Sequence, residues 1–259
     1  MVPITYQDLE DKVVLVTGAA QGIGLAYARR FVTEGATVVL VDRAAESLEN
    51  ATADLNESGR RGKAVAHVVD VTDRDSVEGL ARRLEEDFGS LDGLINNAAV
   101  FSTIEMKPFW EITDGEWEGL MAVNLKGPWL LTSVLLPLLR KSASASVVNI
   151  GSDAALMGRQ GYLHYVASKG GVTAMTFAMS HELGEFGIRV NTLSPGPVYT
   201  EIKRETVSEA QREAMVARQA LHRTADPDDM SSLAAFLISS ESNYITGQTI
   251  SVNGGLLHR

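Results

Sequence analysis

The sequence predicts a doubly wound α/β fold, in which a seven-stranded parallel sheet carries helices on both faces. Apolar, β-branched runs alternate with helix-length amphipathic segments from one end of the 259-residue chain to the other. The strand-like runs are continuously apolar, which indicates strands buried on both faces, as in a parallel sheet between two helix layers. No linker, internal repeat or low-complexity tract divides the chain. We therefore expect a single domain over residues 1–259.

The elements follow in order from the N-terminus. Val13–Thr17 is the first predicted strand, and the helix after it runs from about Gly22 to Glu34, with Gly35 as its stop signal. Six further strands are predicted at Thr37–Asp42, Ala64–Asp70, Gly93–Asn96, Ser146–Ile150, Ile188–Leu193 and Gln248–Val252. The polar, helix-prone segment Thr200–His222 interrupts this alternation. Its pattern fits a surface helix pair and a mobile lid over a substrate pocket equally well.

Composition and charge exclude several classes of function. The formal net charge is −10, which disfavours non-specific binding to nucleic acid and to anionic membranes. The chain has no cysteine, so disulfides, thiolate catalysis and cysteine-ligated zinc are excluded, and its five histidines show no metal-ligand spacing. Met1–Lys12 has no signal-peptide character, and no apolar run approaches the ~18 residues of a membrane span. We expect a soluble cytoplasmic protein with no metal, nucleic-acid partner or membrane segment.

Three residues form a pattern typical of acid–base chemistry on an alcohol or ketone. Tyr165 and Lys169 are four residues apart, so on a helix they share one face about one turn apart. Ser152 follows the predicted strand Ser146–Ile150. A free phenol has a pKa near ~10, and a neighbouring ammonium stabilises the phenolate and lowers that pKa. Tyr165 is therefore the predicted general acid and base, Lys169 lowers its pKa, and Ser152 donates to the substrate oxygen.

A glycine-rich turn can hold the hydride carrier that this chemistry needs. The residues Thr17–Gly24 read TGAAQGIG, between the first strand and the first helix. Such a turn lets a pyrophosphate approach the free N–H groups and positive dipole at a helix N-terminus. Alone, Ser152, Tyr165 and Lys169 have ordinary structural interpretations, as a turn serine, a packing tyrosine and a solvated lysine. Their joint spacing beside a dinucleotide turn favours catalysis.

Asp42 predicts the type of dinucleotide. It ends the second strand, where a carboxylate can accept hydrogen bonds from both adenosine ribose hydroxyls and repels a 2′-phosphate. The alternative is an ordinary strand-end turn aspartate. Arg43 follows directly and could hold a 2′-phosphate, but the glycine turn itself contains no basic residue. The sequence therefore favours NAD over NADP.

These motifs together resemble the short-chain dehydrogenase/reductase family in its single-domain form. The resemblance covers essentially the whole chain and rests on an ordered series of motifs: Thr17–Gly24, Asp70, Asn96–Ala99, Asn124, Ser152, Tyr165 with Lys169, and Pro195–Gly196. It implies a Rossmann-type fold and an NAD(P)-dependent dehydrogenase or reductase that acts on CH–OH groups. Two positions depart from the family pattern: Ala99 replaces a more usual glycine, and Gly151 a frequent serine.

The resemblance also implies roles for individual residues. Asn124 would hold a water in a proton relay through Lys169, which would also bond the nicotinamide ribose. Asn97 would stabilise the strand beside the cofactor, and Pro195–Thr200 would cover the nicotinamide end. The catalytic set expected from these arguments is Asn124, Ser152, Tyr165 and Lys169. The expected cofactor contacts are Gly18, Gln21, Gly22, Ile23, Asp42, Asp70, Val71, Asn97, Ala99, Tyr165, Lys169, Pro195, Val198 and Thr200.

The leading hypothesis is an NAD-dependent oxidoreductase that interconverts a secondary alcohol and a ketone. The alternatives are an NADP-dependent ketone reductase for an acyl or polyketide-type carbonyl, and a catalytically inactive dinucleotide-binding sensor. A sugar-nucleotide epimerase is disfavoured because such enzymes usually carry a larger C-terminal substrate domain.

The substrate and the assembly are less tightly specified. Met157, Tyr162, Phe101 and the segment Thr200–His222 are candidate pocket walls and hint at an apolar or aromatic small-molecule substrate. His164 could tune the field at the adjacent Tyr165. The tryptophans fit core or subunit contacts better than an apolar site: Trp110, Trp117 and Trp129. Family members commonly form tetramers through helices that correspond to Met121–Lys141 and Tyr165–Gly184, so we expect a homotetramer.

Overall fold

The sheet is built from strands whose side chains are buried on both faces. In a computed structural model, which describes residues 6–202 and 209–258, seven strands pair in parallel in the order β3-β2-β1-β4-β5-β6-β7. They are β1 (Val13–Thr17), β2 (Thr37–Asp42), β3 (Lys63–Val68), β4 (Gly93–Asn96), β5 (Ser146–Ile150), β6 (Arg189–Pro195) and β7 (Thr249–Val252). In β1, Val14 and Val16 pack into one hydrophobic cluster and Leu15 into the other. The predicted fold class is confirmed.

Helices cover both faces of this sheet. They are α1 (Gly22–Glu34), α2 (Ala45–Glu57), α3 (Arg74–Asp87), α4 (Asp114–Met121), α5 (Gly127–Leu139), α6 (Ala154–Met157), α7 (Leu163–Gly184), α8 (Glu209–Ala217) and α9 (Pro227–Ile238). Buried side chains of α1, α2 and α9 form the cluster on one face, and those of α3, α5 and α7 contribute to the other. Gly35 ends α1 in the left-handed conformation, at φ +100°, as predicted.

Two strands differ at their ends from the sequence prediction. β3 stops at Val68, which pairs with the last residue of β2, and the chain then turns so that Asp70 accepts hydrogen bonds from Thr72. β6 continues two residues beyond the predicted end, because Ser194 and Pro195 pair with β7. Pairing with a neighbouring strand decides where each strand ends, and a single sequence does not show that register.

The strand order changes direction between β1 and β4, which lie side by side although two strands separate them in sequence. In doubly wound sheets, ligands bind at the carboxyl ends of the strands beside such a switch point. Gly18 follows β1 and Asn97 follows β4. The topology thus places the predicted glycine turn and the Asn96–Ala99 motif at one edge of the sheet.

One helical stretch, Asp114–Leu139, comprises α4, a π-helical turn at Ala122–Lys126 and α5. Among the described residues it is the one helix that is long and apolar enough to cross a membrane by those two criteria, and core helices of soluble proteins satisfy both as well. Half of its apolar window is buried inside the protein. Its α5 part packs on α3 and contributes Leu130, Leu131 and Leu135 to the core.

The three tryptophans do not belong to the core. Trp110, Trp117 and Trp129 are 72%, 39% and 44% exposed, so the core alternative is wrong. Trp117 and Trp129 instead line an open surface groove together with Met121, Leu125 and Met175. Most of this groove lies in the segments expected to form subunit contacts, Met121–Lys141 and Tyr165–Gly184, whereas Trp117 precedes them on α4.

Candidate active site

The glycine turn is packed directly against the loop that follows β4. The Asn97 amide donates to the carbonyl oxygens of Thr17 at 2.9 Å and of Gly18 at 3.2 Å. A Cβ atom on Gly24 would lie 2.0 Å from the Gly18 oxygen, so only glycine fits there. Gly18 has a φ of +64°, which also favours glycine. These contacts fix the turn at the N-terminus of α1.

A cavity of about 450 Å³ lies beside this turn. Asp42 borders it and is fixed at the end of β2, because its two carboxylate oxygens accept the backbone N–H groups of Ala20 and Ala44. The exposed Arg43 borders the same cavity. Hydrogen bonds from Thr72 hold the pKa of Asp70 below its usual range. The predicted cofactor residues in this wall are Gly18, Gln21, Gly22, Ile23, Asp42, Asp70, Val71, Asn97, Ala99 and Thr200.

The N-terminus of α1 already binds an anionic group in this structure. The backbone N–H of Gly22 donates to a carboxylate oxygen of Glu201 at 2.7 Å. A carboxylate at this point stands in for a phosphate, since both are anions that accept hydrogen bonds from free N–H groups. This contact supports a fit of the site to the diphosphate of a dinucleotide.

A second cavity, of about 160 Å³, adjoins the first and holds the predicted reacting groups. Ser152, Tyr165 and Lys169 all line it. The two cavities have wall residues in common, namely Ile23, Asn97, Ala99 and Phe101. Pro195 and Val198, predicted to cover the nicotinamide, also belong to the smaller cavity. The fold therefore brings the three predicted reacting groups together beside the larger cavity.

Tyr165 and Lys169 lie on one face of α7, as their spacing predicts. The Lys169 Nζ atom is 5.9 Å from the centroid of the Tyr165 ring and donates to the Ile150 carbonyl oxygen at 2.7 Å. Lys169 is only 3% exposed, and this burial lowers the pKa of its ammonium to about 8. The Phe101 ring packs over Tyr165 with a centroid separation of 4.6 Å.

Ser152 is held in place by its neighbour Asp153, which the sequence analysis missed. Asp153 is 1% exposed, and its carboxylate accepts hydrogen bonds from Ser194, Ser251 and Asn253 at 2.6–2.7 Å. These donors come from the ends of β6 and β7, so the carboxylate ties the Ser152 loop to both strands. The signal for this role is a charged residue directly between a buried strand and an apolar segment.

The departure at Gly151 has a steric cause. A Cβ atom at this position would lie 2.7 Å from Cγ2 of Thr192 on the adjacent strand. The Thr192 side chain therefore favours a glycine directly before Ser152. No reacting group is lost by this exchange.

Asn124 takes a different position from the other predicted catalytic residues. It lies in the π-helical turn, is fully buried, and is not part of either cavity wall. Its side chain accepts from the Val100 N–H at 2.7 Å and donates to the Val100 oxygen at 3.2 Å. It thereby fixes the loop after β4, which borders the larger cavity. π-helical turns occur frequently at functional sites.

The remaining wall candidates divide between cavity and core. Met157 lines the smaller cavity, whereas Tyr162 is 2% exposed and packs near Phe101. His164 is buried, and desolvation lowers its pKa. In the part of the chain that the structure describes, no group of histidines and carboxylates is arranged to hold a metal ion.

The segment Thr200–His222 is only partly described, because residues 203–208 of the predicted lid lie outside the described residues. In the described part, Thr200 and Ile202 line the larger cavity and Met215 of α8 lines the smaller one. Two further site residues, Glu201 and the smaller cavity's Arg159, belong to no sequence motif. Both lie in loops, where no periodic pattern marks a functional residue.

Comparison with known proteins agrees with this geometry. A family model described as enoyl-(acyl carrier protein) reductase matches residues 18–257. The chain is 36% identical over 252 residues to the 3-oxoacyl-[acyl-carrier-protein] reductase FabG of Thermotoga maritima, covering 96% of this chain and 99% of the relative. It is 35% identical over 258 residues to galactitol 2-dehydrogenase of Agrobacterium fabrum, covering 95% and 98%.

A solved structure is also similar to this chain. The short-chain dehydrogenase/reductase described as a glucose/ribitol dehydrogenase from Brucella melitensis superposes with a TM-score of 0.89 at 32% identity, over 99% of this chain and 100% of that one. The chain thus belongs to the short-chain dehydrogenase/reductase family, as an oxidoreductase that acts on CH–OH groups with a nicotinamide dinucleotide cofactor.

Proposed function

We propose that this protein interconverts a secondary alcohol and a ketone by hydride transfer and prefers NAD. The observation that carries the proposal is the position of Ser152, Tyr165 and Lys169 in one small cavity that adjoins the dinucleotide cavity. Relatives named for the reduction of a 3-oxoacyl group and for the oxidation of galactitol support the same type of chemistry. Their substrates differ greatly, so they do not define the substrate of this chain.

In the proposed mechanism, Tyr165 removes the hydroxyl proton of the alcohol in oxidation and returns it in reduction. The Lys169 ammonium, close to the phenol ring, favours the negatively charged phenolate. Ser152 donates its hydroxyl hydrogen to the substrate oxygen and stabilises the charge that develops there. A bound nicotinamide dinucleotide supplies the hydride chemistry, as acceptor in oxidation and donor in reduction. Asn124 would hold a water that connects Lys169 to solvent.

The role of Tyr165 is tested by Tyr165→Phe. We expect kcat to fall by about 10²–10⁴-fold, because the general acid and base is lost while the ring is kept. Tyr27→Phe is the matched control, since Tyr27 is fully buried in α1 and its hydroxyl has no hydrogen-bond partner in the described residues. Both variants should still bind the cofactor, as measured by the quenching of tryptophan fluorescence. Full activity of Tyr165→Phe would overturn the mechanism.

The preference for NAD depends on Asp42. Its carboxylate borders the larger cavity at the end of β2, where it can accept both ribose hydroxyls and repel a 2′-phosphate. We expect Asp42→Ala to weaken NAD binding and to shift the ratio of kcat/KM values towards NADP. An unchanged ratio in Asp42→Ala would contradict this assignment.

Arg43 favours the alternative of an NADP-dependent ketone reductase for an acyl or polyketide-type carbonyl. Its side chain is exposed at the same cavity, where it can meet a 2′-phosphate. The alternative is correct if the wild-type protein prefers NADP to NAD and Arg43→Ala abolishes turnover with NADP. A turnover panel of alcohols, sugars, steroids, hydroxy acids and 3-oxoacyl thioesters with both cofactors separates the two functions. Failure on the whole panel, with cofactor bound, would favour the inactive sensor.

We also propose that the protein is a cytoplasmic homotetramer without a membrane, nucleic-acid or metal partner. The groove at Trp117 and Trp129 supports the assembly, because its apolar wall includes Trp129 and Met175, which lie in the segments Met121–Lys141 and Tyr165–Gly184 where family members associate. We expect Trp117→Glu with Trp129→Glu to yield smaller species in light scattering. Tetramers that persist in this double variant would exclude the groove as an interface.

We further propose that Thr200–His222, which includes α8, acts as a lid over the substrate.

A further inference from the structure

The smaller cavity combines an apolar wall with one cationic side chain that the proposed mechanism does not use. Most of the wall beyond the reacting groups is apolar: Phe101, Ala154, Met157, Pro197, Val198 and Met215. Arg159 lines the same cavity as Ser152 and Tyr165. The guanidinium is ionised at all physiological pH values, so the substrate meets a fixed positive charge there.

Arg159 is held in position by the turn between α6 and α7. Its backbone N–H donates to the Ala154 oxygen at 3.3 Å, and it follows Gly158, which ends α6 in the left-handed conformation at φ +60°. The guanidinium carbon lies 4.8 Å from the centroid of the Tyr162 ring, and Tyr162 is itself 2% exposed. Stacking on a buried ring restricts the guanidinium, so its charge is preorganised.

No carboxylate neutralises this charge within residues 6–202 and 209–258. There, Arg159 forms no salt bridge, and its guanidinium donates no hydrogen bond. Asp153 is the one carboxylate in the described wall, and its oxygens already accept three hydrogen bonds from neutral donors. A half-buried arginine that faces a cavity without a counter-charge is suited to an anionic ligand.

We propose that the substrate carries a carboxylate which binds Arg159, in addition to the hydroxyl or keto group that reacts at Tyr165. This inference rests on the proposed function, because it concerns the same cavity. A guanidinium pairs with a carboxylate through two parallel hydrogen bonds, which also orients the bound molecule. The chain carries a net charge of −10, so a local cation is needed to attract an anionic substrate. The substrate class is therefore a hydroxy or keto acid with an apolar body.

Ligand binding tests this proposal without any turnover. Benzoate and benzamide have nearly the same shape and differ in charge, and their affinities are measured by calorimetry on the cofactor-loaded protein. We expect Arg159→Gln to weaken benzoate binding at least tenfold and to leave benzamide binding unchanged. Equal benzoate affinities in the wild type and in Arg159→Gln would overturn the proposal. If phenyl phosphate binds more tightly than benzoate and this binding depends on Arg159, the proposed carboxylate is wrong and the ligand carries a phosphoryl group instead.

Arg140→Gln is the matched control. Arg140 also stacks on an aromatic ring, with its guanidinium carbon 4.1 Å from the Phe186 centroid, but it precedes β5 at the opposite edge of the sheet. The variant Arg140→Gln removes the same charge as Arg159→Gln and should leave benzoate affinity unchanged. An equal loss of affinity in Arg140→Gln would show that net charge alone attracts the ligand, and this too would overturn the proposal.

Turnover of a matched ketone pair then separates this proposal from the proposed function. For 4-acetylbenzoate, we expect Arg159→Gln to raise KM about tenfold with little change in kcat, whereas methyl 4-acetylbenzoate keeps its KM. If neither ketone nor the matching alcohols react while benzoate binding depends on Arg159, the carboxylate site stands and the proposed function fails. If both ketones lose kcat/KM equally in Arg159→Gln, the carboxylate proposal fails and the proposed function stands.

Discussion

The two adjoining cavities at the carboxyl edge of the sheet are held in different ways. The larger one is lined mainly by residues that directly follow strands, and its glycine turn is locked to the loop after β4 by the Asn97 amide. The smaller one is also lined by residues that follow β4, β5 and β6 and by two residues of α7, but it adds Met157 of the one-turn helix α6, Arg159 of the turn after it and Met215 of α8. The first cavity is thus held mainly by strand ends, whereas part of the second is formed by side chains of a loop and of short helices. The family motifs include the predicted reacting groups of the second cavity but none of these three side chains.

Glycine substitutions in these two regions should cause the largest changes in the stability of the protein. In the larger cavity, Gly24→Ala places a Cβ atom 2.0 Å from the Gly18 backbone oxygen, which cannot move without the turn. We expect a loss of about 3 kcal/mol or more in the free energy of unfolding, or no soluble protein. In the turn between α6 and α7, which carries Arg159 of the smaller cavity, Gly161→Ala meets the flexible end of Met106 at 3.3 Å, at a φ of +79°. We expect a loss of about 1–2 kcal/mol there.

Gly79→Ala in α3 is the control for both, because the nearest atoms are mobile arginine ends at 3.7 Å or more. It should stabilise the protein by about 0.5–1 kcal/mol, since alanine favours a helix. Urea denaturation gives all three values. If Gly24→Ala and Gly161→Ala lower the free energy of unfolding equally, the glycine turn of the larger cavity is no more rigid than the turn that carries Arg159.

Lys169 lines the smaller cavity and donates to the end of β5, and its titration should make the stability of the protein depend on pH. Burial lowers its pKa from 10.5 to about 8 in the folded protein. Between these two values the unfolded chain binds more protons than the folded one, so the free energy of unfolding rises with pH in this window. The full change across the window is about 3 kcal/mol. Below pH 8 the lysine is charged in both states, and its contribution no longer depends on pH.

The measurement compares the wild type with Lys169→Met in urea at several pH values from 7 to 10. The difference in unfolding free energy between the two proteins should move in favour of the wild type as the pH rises above about 8. A difference that stays constant with pH would show that Lys169 titrates at its ordinary value and is not desolvated.

Glu201 links the two regions, and its substitution should have the smallest effect. It belongs to the lid segment but binds the α1 N-terminus, where a diphosphate is expected. Glu201→Gln removes an anion that competes with the cofactor. We expect NAD to bind about threefold to tenfold more tightly, in keeping with ~0.3–2 kcal/mol for a charge at a helix end. Fluorescence titration of both proteins measures this.

Glu57→Gln serves as the control, because Glu57 is an exposed carboxylate at the end of α2 and its loss changes the net charge equally. It should leave NAD affinity unchanged. Weaker NAD binding in Glu201→Gln would mean that Glu201 supports the cofactor instead of competing with it.

The fold class, and ten of the residues that line the larger cavity, follow from the sequence alone. Continuous apolar runs require a sheet buried on both faces, and parallel strands place all their carboxyl ends at one edge. Motifs that follow strands, such as Gly18 after β1 and Asn97 after β4, therefore meet without any knowledge of side-chain packing. The spacing of Tyr165 and Lys169 likewise fixes their common face, because helix geometry is local.

The loop residues that complete the site are visible only in the folded chain. Asp153, Arg159 and Glu201 have no periodic pattern around them, and their partners lie far away in sequence, as Asn253 does for Asp153. Strand ends at β3 and β6 likewise depended on pairing with neighbouring strands. Long-range contacts of this kind depend on how loops pack against the finished sheet. The sequence therefore predicted the chemistry of the reaction, and the packed loops add the side chain that we propose binds the substrate, Arg159.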